Sequence, residues 1–358
     1  MPTIRAAVCH AFGEPLSVEE VDLRAPQGRE VEVTLEAVAI CHSDISYAEG
    51  IWGGPLPAVY GHEAAGRVTA LGPEARGVEI GQRVVVTLIR ACGHCSPCAT
   101  GHPVACATPD TTPPPLSGRT GEVWKAMNTG AFAERVVVDR SQVVSIADTI
   151  APEAASLLAC GVITGVGAVV NSAAVRPGQD VVVIGAGGVG LNAIQGASIA
   201  GARRIVAVDM VPSKLEDARA VGATDGVLAS AEKPWRAVEA ILGRGADAVF
   251  VTVGAIPAFE AAPRYLATGG RVFLVGMPAS GAMAEYEPVM IAATGQGMIG
   301  SKMGDAVIAR DIPWLVDLYA QGRLMLDELI SRRWRFDEIN AAIADTKKGA
   351  ARRNVIVF

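Results

Sequence analysis

Four cysteines, at 92, 95, 98 and 106, follow the pattern C-x2-C-x2-C-x7-C in a stretch rich in glycine and proline. Four thiolates gathered at one point make a closed tetrahedral zinc site with no free position for chemistry, so this lobe reads as structural. A ferredoxin-type iron–sulfur cluster would take its fourth cysteine after three residues and follow it with proline. Here seven residues intervene and Ala107 follows. Two disulfides would be cramped in so short a segment and out of place in a reducing compartment. His94 and His102 lie inside the lobe, but four cysteines already fill a zinc sphere, and both read as surface residues.

A second chemical signal is the run GAGGVG at 185–190, directly after the apolar segment VVVI and directly before a helical pattern. Gly185 permits a tight turn, Gly187 lets backbone approach a pyrophosphate, and Gly190 lets the helix pack close to the sheet. Gly188 and Val189 would open that helix, whose N-terminus faces the phosphates. A further strand ends at Asp209, nineteen residues beyond Gly190, the spacing of an acid that accepts from the adenosine ribose hydroxyls. A carboxylate there repels a 2′-phosphate and favours NAD over NADP. The alternative is a glycine-rich turn with an acid capping the next helix. Lys214, five residues on, reads equally as a ribose contact or as a solvated helix charge.

Three potential ligands remain: Cys41 in CHSD, His62 in GHE and Cys160 in ACG. Two cysteines and one histidine make a three-ligand zinc site that keeps a position for water or substrate. Taken singly, each has an ordinary structural reading, because free cysteine is among the most buried residue types and a lone histidine is a common polar residue. Only their joint occurrence with the other motifs favours a metal.

The elements that must position these residues change character along the chain. From 4 to about 147, short β-rich runs such as EVEVTLEAVAI and QRVVVTL alternate with turns, which predicts a mostly-β domain. The stretch 101–130, with TPPPL and SGRTG, predicts a long surface excursion. From about Thr164 the texture becomes a βαβα series, through VVVIGAG, RIVAVD, DAVFVTVG and GGRVFLVG, until about Gly300. A helix around DIPWLVDLYAQG, another around FDEINAAIADTKKG and a final strand NVIVF follow. At 358 residues the chain suits two domains. A net charge of −6 gives no basic footprint for nucleic acid or an anionic membrane surface. No leader pattern and no run of roughly 18 apolar residues is evident, and the expected compartment is the cytoplasm.

CHSD at 41–44, GHEAAG at 61–66, the four-cysteine lobe, ACGVITG at 159–165, GAGGVG and the terminal RRNVIVF occur in an order and spacing that resembles the zinc-containing medium-chain alcohol dehydrogenases of the medium-chain dehydrogenase/reductase superfamily. The resemblance covers essentially the whole chain. It implies an α/β protein: a GroES-like, mostly-β catalytic domain at 1–161 and 303–358, and a doubly wound Rossmann domain at 162–302. It implies two Zn2+ per chain and NAD, with the active site in a cleft between the domains.

By motif, Cys41, His62 and Cys160 match the catalytic zinc ligands, and Glu63 matches a nearby carboxylate able to approach the metal. Asp44 matches the acid that orients His62, and Ser43 the hydroxyl that receives the alcohol proton. His42 and Arg353 match contacts to the cofactor pyrophosphate, and Thr164 a position beside the nicotinamide. A homodimer or homotetramer joined through edge strands around GGRVFLVG and GQGMIGS is implied as well.

Some positions depart from the pattern. Where many relatives end the proton relay in histidine, this chain has Ser46. Trp52 stands where the glutathione-adduct formaldehyde dehydrogenases carry an acid, and Asp110 stands close to where they carry an arginine. Trp52 instead suggests an apolar pocket wall, with Leu88 as a second. The expected reaction is therefore hydride transfer between a primary or secondary alcohol, or its aldehyde, and NAD. The alternatives are a thiol-adduct formaldehyde dehydrogenase and a non-catalytic nucleotide-binding protein on the same scaffold. The latter would lack a zinc ligand or Ser43, and none is lost.

Overall fold

The structure is a computed structural model that describes residues 1–119 and 121–358. The chain divides into two compact units, one formed by Met1–Cys160 with Val307–Phe358 and the other by Gly161–Ala306.

The first unit holds a closed barrel and a seven-stranded sheet. At the heart of the sheet is the strand Glu30–Ala39, whose valines, leucine and alanines are almost wholly buried. It pairs antiparallel with Glu63–Leu71, Arg135–Asp139 and Arg353–Val357. The chain's final strand is thus laid into the sheet begun by its first hundred residues. In register, Ala39 faces both Glu63 and Val355, so three neighbouring strand ends deliver Cys41, His62 with Glu63, and Arg353 to one place.

The barrel runs Thr3–Cys9, Ser17–Leu23, Leu116–Gly118, Gly121–Lys125 and Ala58–Val59, closing back on Thr3–Cys9. Two of these strands come from the 101–130 stretch, which sequence reasoning treats as a surface excursion. They are three and five residues long, too short to show a period of two; they pair with each other, and each has its second partner far away in sequence. The signal present was the pair Leu116 and Val123, both at most 3% exposed and paired in register.

In the second unit six parallel strands run in the order Asp225–Leu228, Arg204–Asp209, Asp180–Ile184, Ala246–Val251, Leu266–Leu274 and Gly297–Gly300. The continuous apolar runs DVVVI and RIVAVD suit strands covered on both faces. Gly297–Gly300 is an edge strand, whereas Leu266–Leu274 has a parallel neighbour on each side. Of the two segments expected to join copies, only the second has an edge to offer.

One helical run, Pro152–Ser172, is long and apolar enough to cross a membrane, but 89% of its apolar window is buried inside the protein, the environment of a core helix. Glycine, serine and threonine within it break up the apolar run in the sequence. Two of its segments, Leu158–Val162 and Ala168–Ser172, are wound as π-helix. A π turn rotates the side chains that follow relative to an α-helix, and such turns recur at functional sites.

Candidate active site

The donor atoms of Cys41, His62, Glu63 and Cys160 lie within 4.8 Å of one another, all in buried residues of the first unit. Cys41 caps the helix His42–Ala48 in extended conformation. Asp44, one turn in, accepts the Cys41 N–H through Oδ2 at 3.1 Å. Its Oδ1 accepts the Gly61 N–H at 2.9 Å and meets His62 Nδ1 at 2.9 Å. One carboxylate, 1% exposed, therefore ties the cysteine arm to the histidine arm. Assigned from this network, Nδ1 carries the proton and Nε2 keeps its lone pair. Nε2 is buried and has no hydrogen-bond partner among the described residues. A buried acceptor left this way costs stability unless a cation meets it, so the donor set fits a divalent metal. Nitrogen and sulfur donors suit zinc.

Cys160 enters from the π segment Leu158–Val162. The hydrogen bond between the two sulfurs holds the Cys41 thiol well below its ordinary range and pushes Cys160 up, burial adding to the rise at Cys160. Glu63 pairs with Arg353, both buried. Burial pushes the Glu63 carboxyl up to about 7 against the downward pull of the guanidinium. Arg353, matched by motif to a pyrophosphate contact, is thus placed at this cluster, 6% exposed.

Ser43 follows on the same helix and is half-buried; His42 beside it is exposed. Trp52 is half-buried, its ring edge-on to Tyr47. Leu88 is also half-buried, its carbonyl accepting from the Arg90 N–H at 3.0 Å and Asn128 Nδ2 at 3.4 Å.

The second cluster gathers the sulfurs of Cys92, Cys95, Cys98 and Cys106 within 4.8 Å of one another. The helix Ser96–Ala99 and the turn Pro103–Ala105 fold the segment around them. Backbone N–H groups point at the sulfurs: His94 and Cys95 to Cys92 Sγ at 3.4 and 3.3 Å, Cys92 to Cys106 Sγ at 3.3 Å. The Thr108 hydroxyl donates to Cys92 Sγ at 3.1 Å and, with the His94 N–H, lowers that thiol to about 5. Donors aimed at sulfur stabilise thiolates, the form that binds zinc. His94 and His102 are both exposed.

In the second unit the loop 185–190 joins Asp180–Ile184 to the helix Gly188–Ile199. A Cβ on Gly190 would sit 1.8 Å from the Gly185 carbonyl oxygen, so no other residue fits there. A Cβ on Gly187 would meet nothing, which marks open space above the loop for a ligand group. Asp209 is 8% exposed and accepts the Ala186 N–H at 2.7 Å and the Val211 N–H at 3.0 Å. It therefore braces the loop as well as closing the second strand. Lys214 is half-buried on the helix Pro212–Ala220.

Thr164 is 7% exposed and its hydroxyl lies 3.6 Å from Met303 Sδ. Met303, Gly304 and Asp305 form three successive left-handed residues, with φ of 50°, 64° and 48°. A Cβ on Gly304 would fall 2.4 Å from the Ile163 carbonyl oxygen. Sequence reasoning missed this turn. Its one signal is the lone glycine in SKMGD, and consecutive left-handed residues cluster at functional sites because they cost strain.

A GroES-like unit with two sulfur-rich clusters and a doubly wound unit with a dinucleotide-type loop, in one chain, define a metal-dependent nicotinamide dehydrogenase. Residues 27–148 match the family described as the alcohol dehydrogenase GroES-like domain, and residues 188–321 the zinc-binding dehydrogenase family. The chain is 34% identical to a geraniol dehydrogenase from Castellaniella defragrans, over 99% of this chain and 97% of that protein. It is equally 34% identical to an NDMA-dependent alcohol dehydrogenase from Amycolatopsis methanolica, covering 99% and 98%. Among solved structures, benzyl alcohol dehydrogenase from Acinetobacter calcoaceticus superposes with a TM-score of 0.95 at 30% identity, covering 100% of both chains. The chain belongs to the zinc-containing medium-chain alcohol dehydrogenases, zinc- and nicotinamide-dependent oxidoreductases that interconvert alcohols and their carbonyl compounds.

Proposed function

We propose that the chain is an NAD-dependent dehydrogenase of apolar primary or secondary alcohols, with Cys41, His62 and Cys160 as ligands of the reactive zinc and Cys92, Cys95, Cys98 and Cys106 as ligands of a structural one. The observation that carries the reading is the buried imidazole of His62, its donor atom within 4.8 Å of two cysteine sulfurs and its Nδ1 held by Asp44. When bound, zinc supplies a Lewis acid that eases loss of the alcohol proton, and NAD supplies the hydride acceptor.

The chain's own residues do the rest. Asp44 fixes the tautomer and direction of the His62 ring. Ser43 Oγ, two residues from Cys41, takes the hydroxyl proton and passes it outward. Ser46 continues that path to solvent in place of a titrating side chain. Glu63 stays paired with Arg353, which keeps a buried carboxylate from competing freely for the metal. Gly185, Gly187, Gly188, Val189 and Gly190 cradle the pyrophosphate, with His42 and Arg353 as further contacts by motif. Asp209 receives the ribose hydroxyls and disfavours a 2′-phosphate, and Lys214 lies near the same ribose. Thr164 borders the nicotinamide.

Trp52 and Leu88 serve as apolar walls. Geraniol and benzyl alcohol, named for two relatives, are substrates of that character. A wall without a charged group also argues against a glutathione adduct.

A homodimer joined through Gly297–Gly300 is part of the proposal. Exposed edge strands invite pairing, and Ile299, Val289 and Met290 are 43%, 61% and 54% exposed in and before this one. Seven free cysteines suit the reducing cytoplasm.

The test is NADH production across primary, secondary, aromatic and polyol alcohols, with and without glutathione. Turnover of apolar alcohols with NAD and independent of glutathione is expected. Turnover confined to a thiol–formaldehyde adduct would overturn the substrate reading.

A further inference from the structure

The helix His42–Ala48 does more than carry Ser43 and Asp44. At its C-terminal end Tyr47 turns its ring into a column of three aromatics. Its centroid lies 5.0 Å from that of Trp52, with the planes at 77°, and 6.4 Å from that of Tyr60, with the planes at 20°. Tyr60 is 2% exposed, and its hydroxyl donates to the Tyr47 carbonyl at 3.3 Å. The same Tyr47 carbonyl accepts the Gly50 N–H at 2.9 Å, where the chain leaves the helix with φ of +77°. The residue after Tyr60 is Gly61, whose N–H is held by Asp44. The column therefore spans the two backbone arms that present the cysteine and histidine donors, without contributing a donor itself.

Trp52 sits differently. It is flanked by Gly50, Gly53 and Gly54, all at positive φ, in a loop whose backbone does little to fix a side chain. The edge-on contact with Tyr47 is a ring-to-ring constraint on the direction of that indole. Such pairs have preferred geometries, and a flat wall discriminates best among flat ligands.

We propose that Tyr47 is a positioning residue that sets the plane of Trp52 and so selects flat, unsaturated or aromatic alcohols over short aliphatic ones. The inference rests on the reading of Trp52 as a pocket wall. Tyr47 acts through its ring rather than its hydroxyl, because the ring makes both contacts. A two-carbon alcohol is too short to use the indole face and is indifferent to its angle.

The test uses the full-length, zinc-loaded enzyme and its Tyr47→Ala, Tyr47→Phe, Trp52→Ala and Tyr47→Ala/Trp52→Ala variants. For each, kcat and KM are measured with benzyl alcohol and with ethanol, alongside zinc per chain. Tyr47→Ala should raise KM for benzyl alcohol by about three- to tenfold, the span expected for one aromatic pair, with kcat, ethanol kinetics and zinc content held. Tyr47→Phe should restore the parent values, and the double variant should be no worse than Trp52→Ala. If Trp52→Ala erodes the benzyl-to-ethanol preference while Tyr47→Ala does not, the positioning role is wrong and the wall reading survives. If Trp52→Ala leaves the preference intact, the wall reading itself fails and takes the inference with it. A uniform loss on both alcohols with loss of zinc in Tyr47→Ala would show a merely structural residue and would also overturn the proposal.

Discussion

The two cysteine clusters use similar donors but are built in opposite ways. The 92–106 lobe draws four sulfurs from one short segment, half-exposed, and directs its own backbone N–H groups at them. The other cluster collects Cys41, His62 and Cys160 from a helix cap, a strand end and a π turn, all buried, and adds an ion pair and a braced imidazole. A locally built site can close around its metal whatever the rest of the fold does. A site assembled from separate elements inherits its geometry from the sheet between them, and with three protein ligands it can keep a position for substrate.

That contrast is open to direct attack. The largest effect should come from Cys160→Ala, which removes a ligand of the buried cluster. Turnover should fall by about a thousandfold or more, and zinc should drop by one per chain. Turnover near the parent value in single-alcohol kinetics would refute the assignment.

Cys98→Ala should do the reverse. One zinc is again lost, but Tm falls by about 5–10 °C by calorimetry, consistent with a few kcal/mol of metal-linked stability. Activity per folded molecule survives. If this variant instead kept its Tm and lost its rate, the two clusters would not divide as described.

Asp44→Asn keeps the size of the bracing group and removes its charge. Metal affinity at the buried cluster should weaken by about 10- to 100-fold in competition with a chelator, while the lobe holds its zinc. Equal weakening at both sites would mean a general loss of fold.

Ser46→His should have the smallest effect. Hydride transfer should acquire a pH limb near the ordinary histidine range, about 6.5, rising with pH as the neutral ring becomes able to accept a proton. An unchanged profile would remove this position from the proton path.

What could be read in advance follows the same division. The lobe was legible because its four donors share one short segment, so spacing alone implies convergence. The glycine loop was legible because the strand before it and Asp209 after it are local signals. Cys41 and Cys160 were not, taken singly, because their meeting depends on strand register and on a π turn that packing, not propensity, selects. The helix Pro152–Ser172 escaped notice because glycine, serine and threonine interrupt its apolar run. The strands Leu116–Gly118 and Gly121–Lys125 escaped because they are too short to show a period and their outer partners, which place them in the barrel, are far away in sequence. Nothing short of the fold places Tyr47 between Trp52 and Tyr60.

The central claim is that the buried cluster carries the chemistry and the lobe does not. Zinc per chain, measured on purified, folded His62→Ala by elemental analysis with NADH production followed on the same sample, tests it most directly. One zinc per chain and no detectable turnover is the predicted result. Two zincs, or turnover at the parent rate, would contradict it.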